Sequence, residues 1–175
     1  MMMELANYIR NVQDFPKPGI GFKDITTLIS NAAALKESIA QLKAPFLKDK
    51  IDLVVGIEAR GFIFASALAI EFGAGMVMVR KPGKLPYKTL KEEYELEYGT
   101  DSLEIHVDAI KPGQNVLIID DLLATGGTVE ATVRLVEELG GVIKGCAFVV
   151  ELDFLKGREK LDKYRIESLI HYDGE

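Results

Sequence analysis

The chain is predicted to be α/β, with a mostly parallel central sheet flanked by helices and a long β-hairpin inserted in it. Three observations carry this expectation. Short apolar runs at 51–55, 76–79, 116–119 and 146–150 alternate with helical segments, which implies parallel strands joined by helices on the sheet faces. The run VLII (116–119) has no polar position, as expected of a strand buried on both sides. Residues 80–107 break the alternation and read as a hairpin.

In chain order, MMMELANYIR has too short an apolar run for a targeting segment, is interrupted by Glu4, and reads as a start followed by a helix. Ala32 to Leu47 reads as a helix whose end Pro45 frays. IDLVV (51–55) is a strand, Gly56 to Gly61 a turn, and Phe62 to Phe72 a helix that stops at Gly73. MVMV (76–79) is the second strand of the series. In the insertion, Tyr94, Leu96 and Tyr98 alternate with Glu93, Glu95 and Glu97; after Gly99-Thr100-Asp101, Leu103, Ile105 and Val107 alternate with Ser102, Glu104 and His106. Before the hairpin, RKPGKLPYKTLK places Arg80, Lys81, Lys84, Lys88 and Lys91 in an otherwise acidic chain. An insertion of this length is often a functional lid. VLII is followed by a helix from about Val129 to Leu139, closed by Gly140 and Gly141, and CAFVV (146–150) is a further strand.

The chain's 175 residues, 48% of them hydrophobic, suit one compact domain with a complete core. The net charge of −6 argues against a nucleic-acid backbone as the main partner and leaves small phosphorylated ligands open. The single cysteine, Cys146, cannot form an intramolecular disulfide; with no signal peptide and no long apolar run, a cytoplasmic location is expected.

The stretch VLIIDDLLATGGT (116–128) carries the chemistry. Asp120 and Asp121 fall at the carboxyl end of a strand, where open α/β sheets bind ligands. Ala124, Thr125, Gly126, Gly127 and Thr128 then supply two glycines and two hydroxyls just before a helix. Such a loop can aim several backbone N–H groups, and the positive end of the helix dipole, at a phosphate. The same residues could be an ordinary strand-to-helix turn with Thr128 as its N-cap. The aspartates favour a ligand with hydroxyls as well as phosphate, or one with a divalent cation; a sugar phosphate has both hydroxyls and phosphate. Gly56-Ile-Glu-Ala-Arg-Gly61 has P-loop glycine spacing but is followed by Phe62-Ile63, and no GxGxxG occurs, so kinase and dinucleotide-binding readings fail. A receiver domain has no use for Thr-Gly-Gly-Thr.

VLIIDDLLATGGT resembles the phosphoribosyl-pyrophosphate signature of the type I phosphoribosyltransferases. FPKPGIGFKDI (15–25), GIEARGFIFASALAIEFG (56–73), RKPGKLPYKTLKEEYELEYG (80–99) and VELDFLKGREKL (150–161) are similar to the adenine-using branch of that family, so the resemblance covers nearly the whole chain. It implies one phosphoribosyltransferase domain over residues 1–175, with a hairpin lid at about 80–107 and a small hood from the amino- and carboxy-terminal segments.

The activity implied is transfer of the 5-phosphoribosyl group of 5-phosphoribosyl 1-pyrophosphate to adenine. The alternatives are another purine base, or a regulator that senses the donor without turning it over. Asp120 and Asp121 would bind the ribose hydroxyls, and Ala124 to Thr128 the 5-phosphate. Arg60, with Arg80, Lys81 and Lys84, would bind pyrophosphate, as suits a permanently charged guanidinium beside a tight turn. Glu97 would exchange a proton with the purine. Gly21 and Lys23 would read the adenine edge through backbone groups, with Phe22, Leu122 and Leu152 packing near its faces. Similar enzymes often carry arginine at the position of Lys23. They also bend the pyrophosphate loop through a non-proline cis peptide, here Glu58–Ala59, and form homodimers. Mg²⁺ would be held mainly by substrate oxygens, with no direct protein ligand. His106 and His171, with no second ligand at metal spacing, receive no role, and Phe62 and Phe64 read as core.

Overall fold

At the centre of the molecule, β7 (Asn115–Leu123) is a nine-residue strand whose apolar half is buried on both sides. Val116 and Ile118 face one core cluster, and Leu117 and Ile119 face the other. The computed structural model describes residues 3–96 and 99–174. In chain order before β7 come β1 (Arg10–Val12), β2 (Phe22–Asp24), a single helical turn α1 (Thr26–Ile29), α2 (Ala32–Lys43), β3 (Leu53–Ile57), α3 (Gly61–Phe72) and β4 (Gly75–Val79). The hairpin is β5 (Thr89–Glu95) and β6 (Thr100–His106); after β7 follow α4 (Gly127–Glu138), β8 (Val142–Leu152) and β9 (Ile166–Tyr172).

The sheet has the order β4-β3-β7-β8-β9, and every neighbouring pair is parallel. Buried residues of α2 and α3 belong to the cluster on one face; those of α4 belong to the other, together with Tyr94, Leu103 and Ile105 of the hairpin. From β3 the chain moves outward to β4, then returns to lay β7 on the opposite side of β3. This reversal is the position at which open sheets bind ligands. The register explains why a crevice opens there: β3 stops pairing with β7 at Gly56↔Ile119, whereas β8 follows β7 on to Leu123↔Glu151. Asp120 and Asp121 therefore lie inside the strand, just past the point where its β3 neighbour ends.

The expected α/β architecture is present, with several boundaries moved. Strand 51–55 becomes Leu53–Ile57, because Asp52 caps the strand entrance by accepting from the Asn115 amide at 2.8 Å. The helix predicted over 32–47 ends as an α-helix at Lys43, and Pro45 lies in a 3₁₀ turn, Ala44–Phe46. The helix expected near the start is a 3₁₀ turn, Leu5–Tyr8. Strands β1, β2 and β9 were not expected. Phe64 is core, but Phe62 is only half-buried and lies beneath the Arg80 guanidinium, 5.8 Å from its ring centre. None of the described helices is long and apolar enough to cross a membrane.

The stem of the hairpin belongs to the core. Tyr94 is buried against α4, and Arg134 of α4 holds Glu92 at 2.6 Å and the Glu93 carbonyl at 3.1 Å. The two strands pair from Thr89↔His106 to Glu95↔Thr100, so Thr100 and Asp101, read from sequence as part of the turn, begin β6.

Phe148, fully buried in β8, is the register partner of Asp120. Phe148→Ala should destabilise the fold by about 3–5 kcal/mol, as truncation of a buried phenylalanine generally does. Urea unfolding measures it; a loss below about 1 kcal/mol would show that the core collapses to fill the space.

Candidate active site

The carboxyl ends of β3 and β7 open into a cavity of about 460 Å³. Its lining brings together Glu58, Arg60, Lys81, Asp120, Asp121 and the whole of Ala124 to Thr128, residues drawn from three separated stretches of chain.

The loop after β7 is shaped by backbone contact. Gly126 has φ +83 and is the N-cap of α4, with no side-chain cap, so Thr128 lies within the first helical turn and is not the N-cap that the sequence allowed. A Cβ at Gly126 would stand 2.7 Å from the Gly157 carbonyl oxygen. The left-handed conformation and this contact both require glycine. The first amides of α4 have no intrahelical acceptor and, with the positive end of its dipole, give this side of the cavity a positive partial charge. Thr125 and Thr128 also line it.

The acidic pair is almost completely enclosed, with Asp120 8% and Asp121 6% exposed. Asp120 accepts from the Asp121 amide at 2.8 Å, and Asp121 accepts from Arg60 Nε at 2.5 Å. Gly61, the first residue of α3, lets that helix start directly behind the pair: a Cβ there would be 2.9 Å from Asp120 Oδ1. Burial, and then the neighbouring Asp121 charge, push the Asp120 carboxyl well above the ordinary carboxylate range; Arg60 only partly opposes them.

The cations of the site are paired with carboxylates. Besides Arg60 with Asp121, Lys81 is bonded to Asp101 and, at 2.6 Å, to the Tyr94 hydroxyl. Arg80 and Lys84 do not line the cavity; they meet Glu58, which does, at 3.2 and 2.5 Å. Glu58 also accepts from the Lys81 amide at 2.7 Å. Burial raises the Glu58 pKa, but Lys84, the Lys81 amide and Arg80 outweigh it and hold the carboxyl below its usual range. The Glu58–Ala59 peptide is cis.

Of the expected base-binding residues, Leu122 lines the cavity. Phe22 is adjacent to it, its ring 5.4 Å from the Arg60 guanidinium. Gly21, Lys23 and Leu152 do not line it. Lys23 instead lies over the Tyr172 ring at 4.4 Å and bonds Asn11 at 3.2 Å, and Tyr172 is the register partner of Leu152, so these residues form a flank beside the cavity. Glu97 lies outside the described residues.

Sequence reading assigned no function to Glu58, Tyr94 or Asp101. Glu58 was visible only as part of the Gly56–Gly61 turn and of its expected cis peptide, and its side-chain partners stand 22 to 26 residues away. The expectation for His171 needs correction. The fold brings it within 2.9 Å of Asp153 and 3.9 Å of Glu151, although Glu151 is already held by Arg158 at 2.6 and 2.9 Å. His106 Nε2 accepts from the Tyr87 amide at 3.3 Å, a structural contact.

Residues 23–172 match the phosphoribosyl transferase domain family. Over 172 residues, 98% of this chain and 99% of the relative, the sequence is 58% identical to the adenine phosphoribosyltransferase of Clostridium perfringens. The crystal structure of adenine phosphoribosyltransferase from Thermoanaerobacter pseudethanolicus superposes with a TM-score of 0.95 at 55% identity, covering 98% of this chain and 100% of that one. The Saccharomyces cerevisiae enzyme, solved with adenine and an imino-altritol bisphosphate, gives 0.90 at 43% identity, covering 95% and 96%.

Asp120→Asn keeps the acceptor for the Asp121 amide and removes a buried charge, so it should raise thermal stability. The sign follows from the raised pKa. The folded chain holds the Asp120 proton to higher pH than the unfolded chain does, so from the unfolded carboxylate pKa up to the raised folded one the native protein loses stability that the variant, with no proton to lose there, keeps. The difference in Tm should therefore grow from pH 5 to pH 8, at about 2–4 °C for each 1 kcal/mol in a chain of this size. Calorimetric scans at both pH values that gave equal differences would refute it.

Proposed function

The chain belongs to the phosphoribosyl transferase family, and from that premise we propose that it transfers the 5-phosphoribosyl group of 5-phosphoribosyl 1-pyrophosphate to adenine, giving AMP and pyrophosphate. The observation that carries this reading is the meeting of the acidic pair, the Ala124–Thr128 loop and Arg60 in one cavity at the sheet reversal. The choice of adenine is supported by the near-full-length identity to adenine phosphoribosyltransferases.

In this reading the 5-phosphate binds the amides and hydroxyls of residues 124–128, and the ribose hydroxyls donate to Asp120 and Asp121. Arg60 then shares its guanidinium between Asp121 and pyrophosphate, supported by Lys81, Arg80 and Lys84. As the bond from the anomeric carbon to the pyrophosphate oxygen breaks, its electron pair leaves with pyrophosphate. Positive character grows on the ribose beside the acidic pair, and negative charge grows beside the cations. The adenine nitrogen attacks the same carbon and loses its proton, for which Glu97 is the acceptor by resemblance. Closure of the hairpin tip over the cavity would exclude water, which could otherwise take the place of adenine.

Mg²⁺ fits the donor chemistry: the cavity offers hard carboxylate oxygens beside the Ala124–Thr128 loop, one of which, on Asp121, Arg60 already engages. When bound, mainly by substrate oxygens, it would neutralise charge on the leaving pyrophosphate. A cytoplasmic enzyme acting as a homodimer completes the proposal. Ile63 and Ile70, at i and i+7 of α3 and 38% and 81% exposed, support a surface for a second copy. Light scattering should give twice the 19.3 kDa chain mass; a monomer under assay conditions refutes the dimer.

Incubation with labelled donor, Mg²⁺ and each purine separately tests the reaction. Labelled AMP should form from adenine; faster product from guanine, hypoxanthine or xanthine would replace the base, and no nucleotide from any would favour a donor-sensing regulator. Glu97→Gln should lower the single-turnover rate by about 10² to 10⁴, while Glu93→Gln, a solvent-facing residue of β5, stays within about twofold. Equal effects of the two would remove Glu97 from the chemistry.

A further inference from the structure

We propose that Glu58 is a positioning residue for the pyrophosphate end of the site, fixing the Arg80 guanidinium, the Lys81 backbone and the Lys84 ammonium from one buried carboxylate. The proposal rests on the reading that this cavity binds pyrophosphate. Its geometric basis is that the three donors come from a single short turn, 80–84, and converge on a side chain only 7% exposed. Surface lysines and arginines ordinarily sample many rotamers, and ordering them opposes binding. Here that ordering is already present.

The attachment of Arg80 is specific. Its main chain exchanges two hydrogen bonds with Glu104 of β6, at 2.9 and 2.7 Å, which fixes the backbone. Glu58 takes only Nε of the side chain, and among the described residues the two terminal nitrogens meet no other acceptor. The guanidinium rests on the Phe62 ring. Glu58 is itself held at the end of β3, where its amide donates to the Val79 carbonyl at 3.0 Å. The carboxylate thus joins the loop after β3 to the turn after β4, and orders Arg80 and Lys84 just outside the cavity lining, beside Lys81, which is part of it. The opposite role, an internal anion that competes with pyrophosphate for the same cations, predicts an effect of opposite sign.

Calorimetric titration of inorganic pyrophosphate with Mg²⁺ into the intact protein, and steady-state kinetics with adenine, distinguish the roles. Glu58→Gln keeps shape but loses the charge; pyrophosphate binding should weaken by about tenfold or more. KM for the donor should rise in parallel, and KM for adenine should stay within about twofold. Unchanged or tighter pyrophosphate binding by the variant would overturn the proposal. If Glu58→Gln does not fold, Glu58→Asp keeps the charge but withdraws it from the 80–84 turn without touching any group that meets pyrophosphate: weakened binding supports positioning, and unchanged or tighter binding overturns it. A wild-type protein that binds no pyrophosphate would overturn the cavity assignment as well as the role of Glu58.

Discussion

Two carboxylates enclosed side by side are the constraint around which this molecule is arranged. Asp120 and Asp121 repel each other and lose most of their hydration, a combination that isolated side chains would not tolerate in an apolar sheet. Compensation comes from several directions: Arg60 on Asp121, the Asp121 amide on Asp120, and the start of α3 behind the pair. Two of these groups, Arg60 and Gly61, stand at the start of α3, and the third is the main chain of β7 itself.

Much of this was legible in the sequence where the chemistry is local. A fully apolar run, an acidic pair and a glycine-rich loop in immediate succession defined β7 and the loop after it, because buried parallel strands and phosphate loops each impose their residue types on a few consecutive positions. Arg60 was marked by its tight turn. Edges were harder to see. In β9, Glu167, Ser168 and His171 interrupt the apolar pattern, since an edge strand is less enclosed than a central one. The pair β1 and β2 has only three residues on each side, too few for any periodicity to register.

Glu58 illustrates a different limit. A buried glutamate in a loop has no local signature, because what makes it tolerable is a set of donors that only the β3–β4 pairing brings near. The same holds for Lys81, Tyr94 and Asp101, which meet across the hairpin. It holds too for the hairpin stem, where the alternation of Tyr94, Leu103 and Ile105 revealed a buried face without revealing that α4 covers it. Sequence pattern reports how much a residue is enclosed far better than it reports what encloses it.

The contact between Gly126 and Gly157 reaches beyond local conformation. A Cβ at Gly157 would come within 2.2 Å of the Ala124 carbonyl oxygen, as one at Gly126 would collide with Gly157. Both collisions are with main chain, which no change of rotamer relieves and which enlarging or shrinking a partner side chain cannot accommodate. The two positions are therefore locked to each other across thirty intervening residues, and the surface segment Asp153–Leu161 that carries Gly157 is not free to drift in length as exposed connections usually are. For anyone grafting, trimming or splicing this scaffold, that outer segment has to be treated as the outer wall of the Ala124–Thr128 loop.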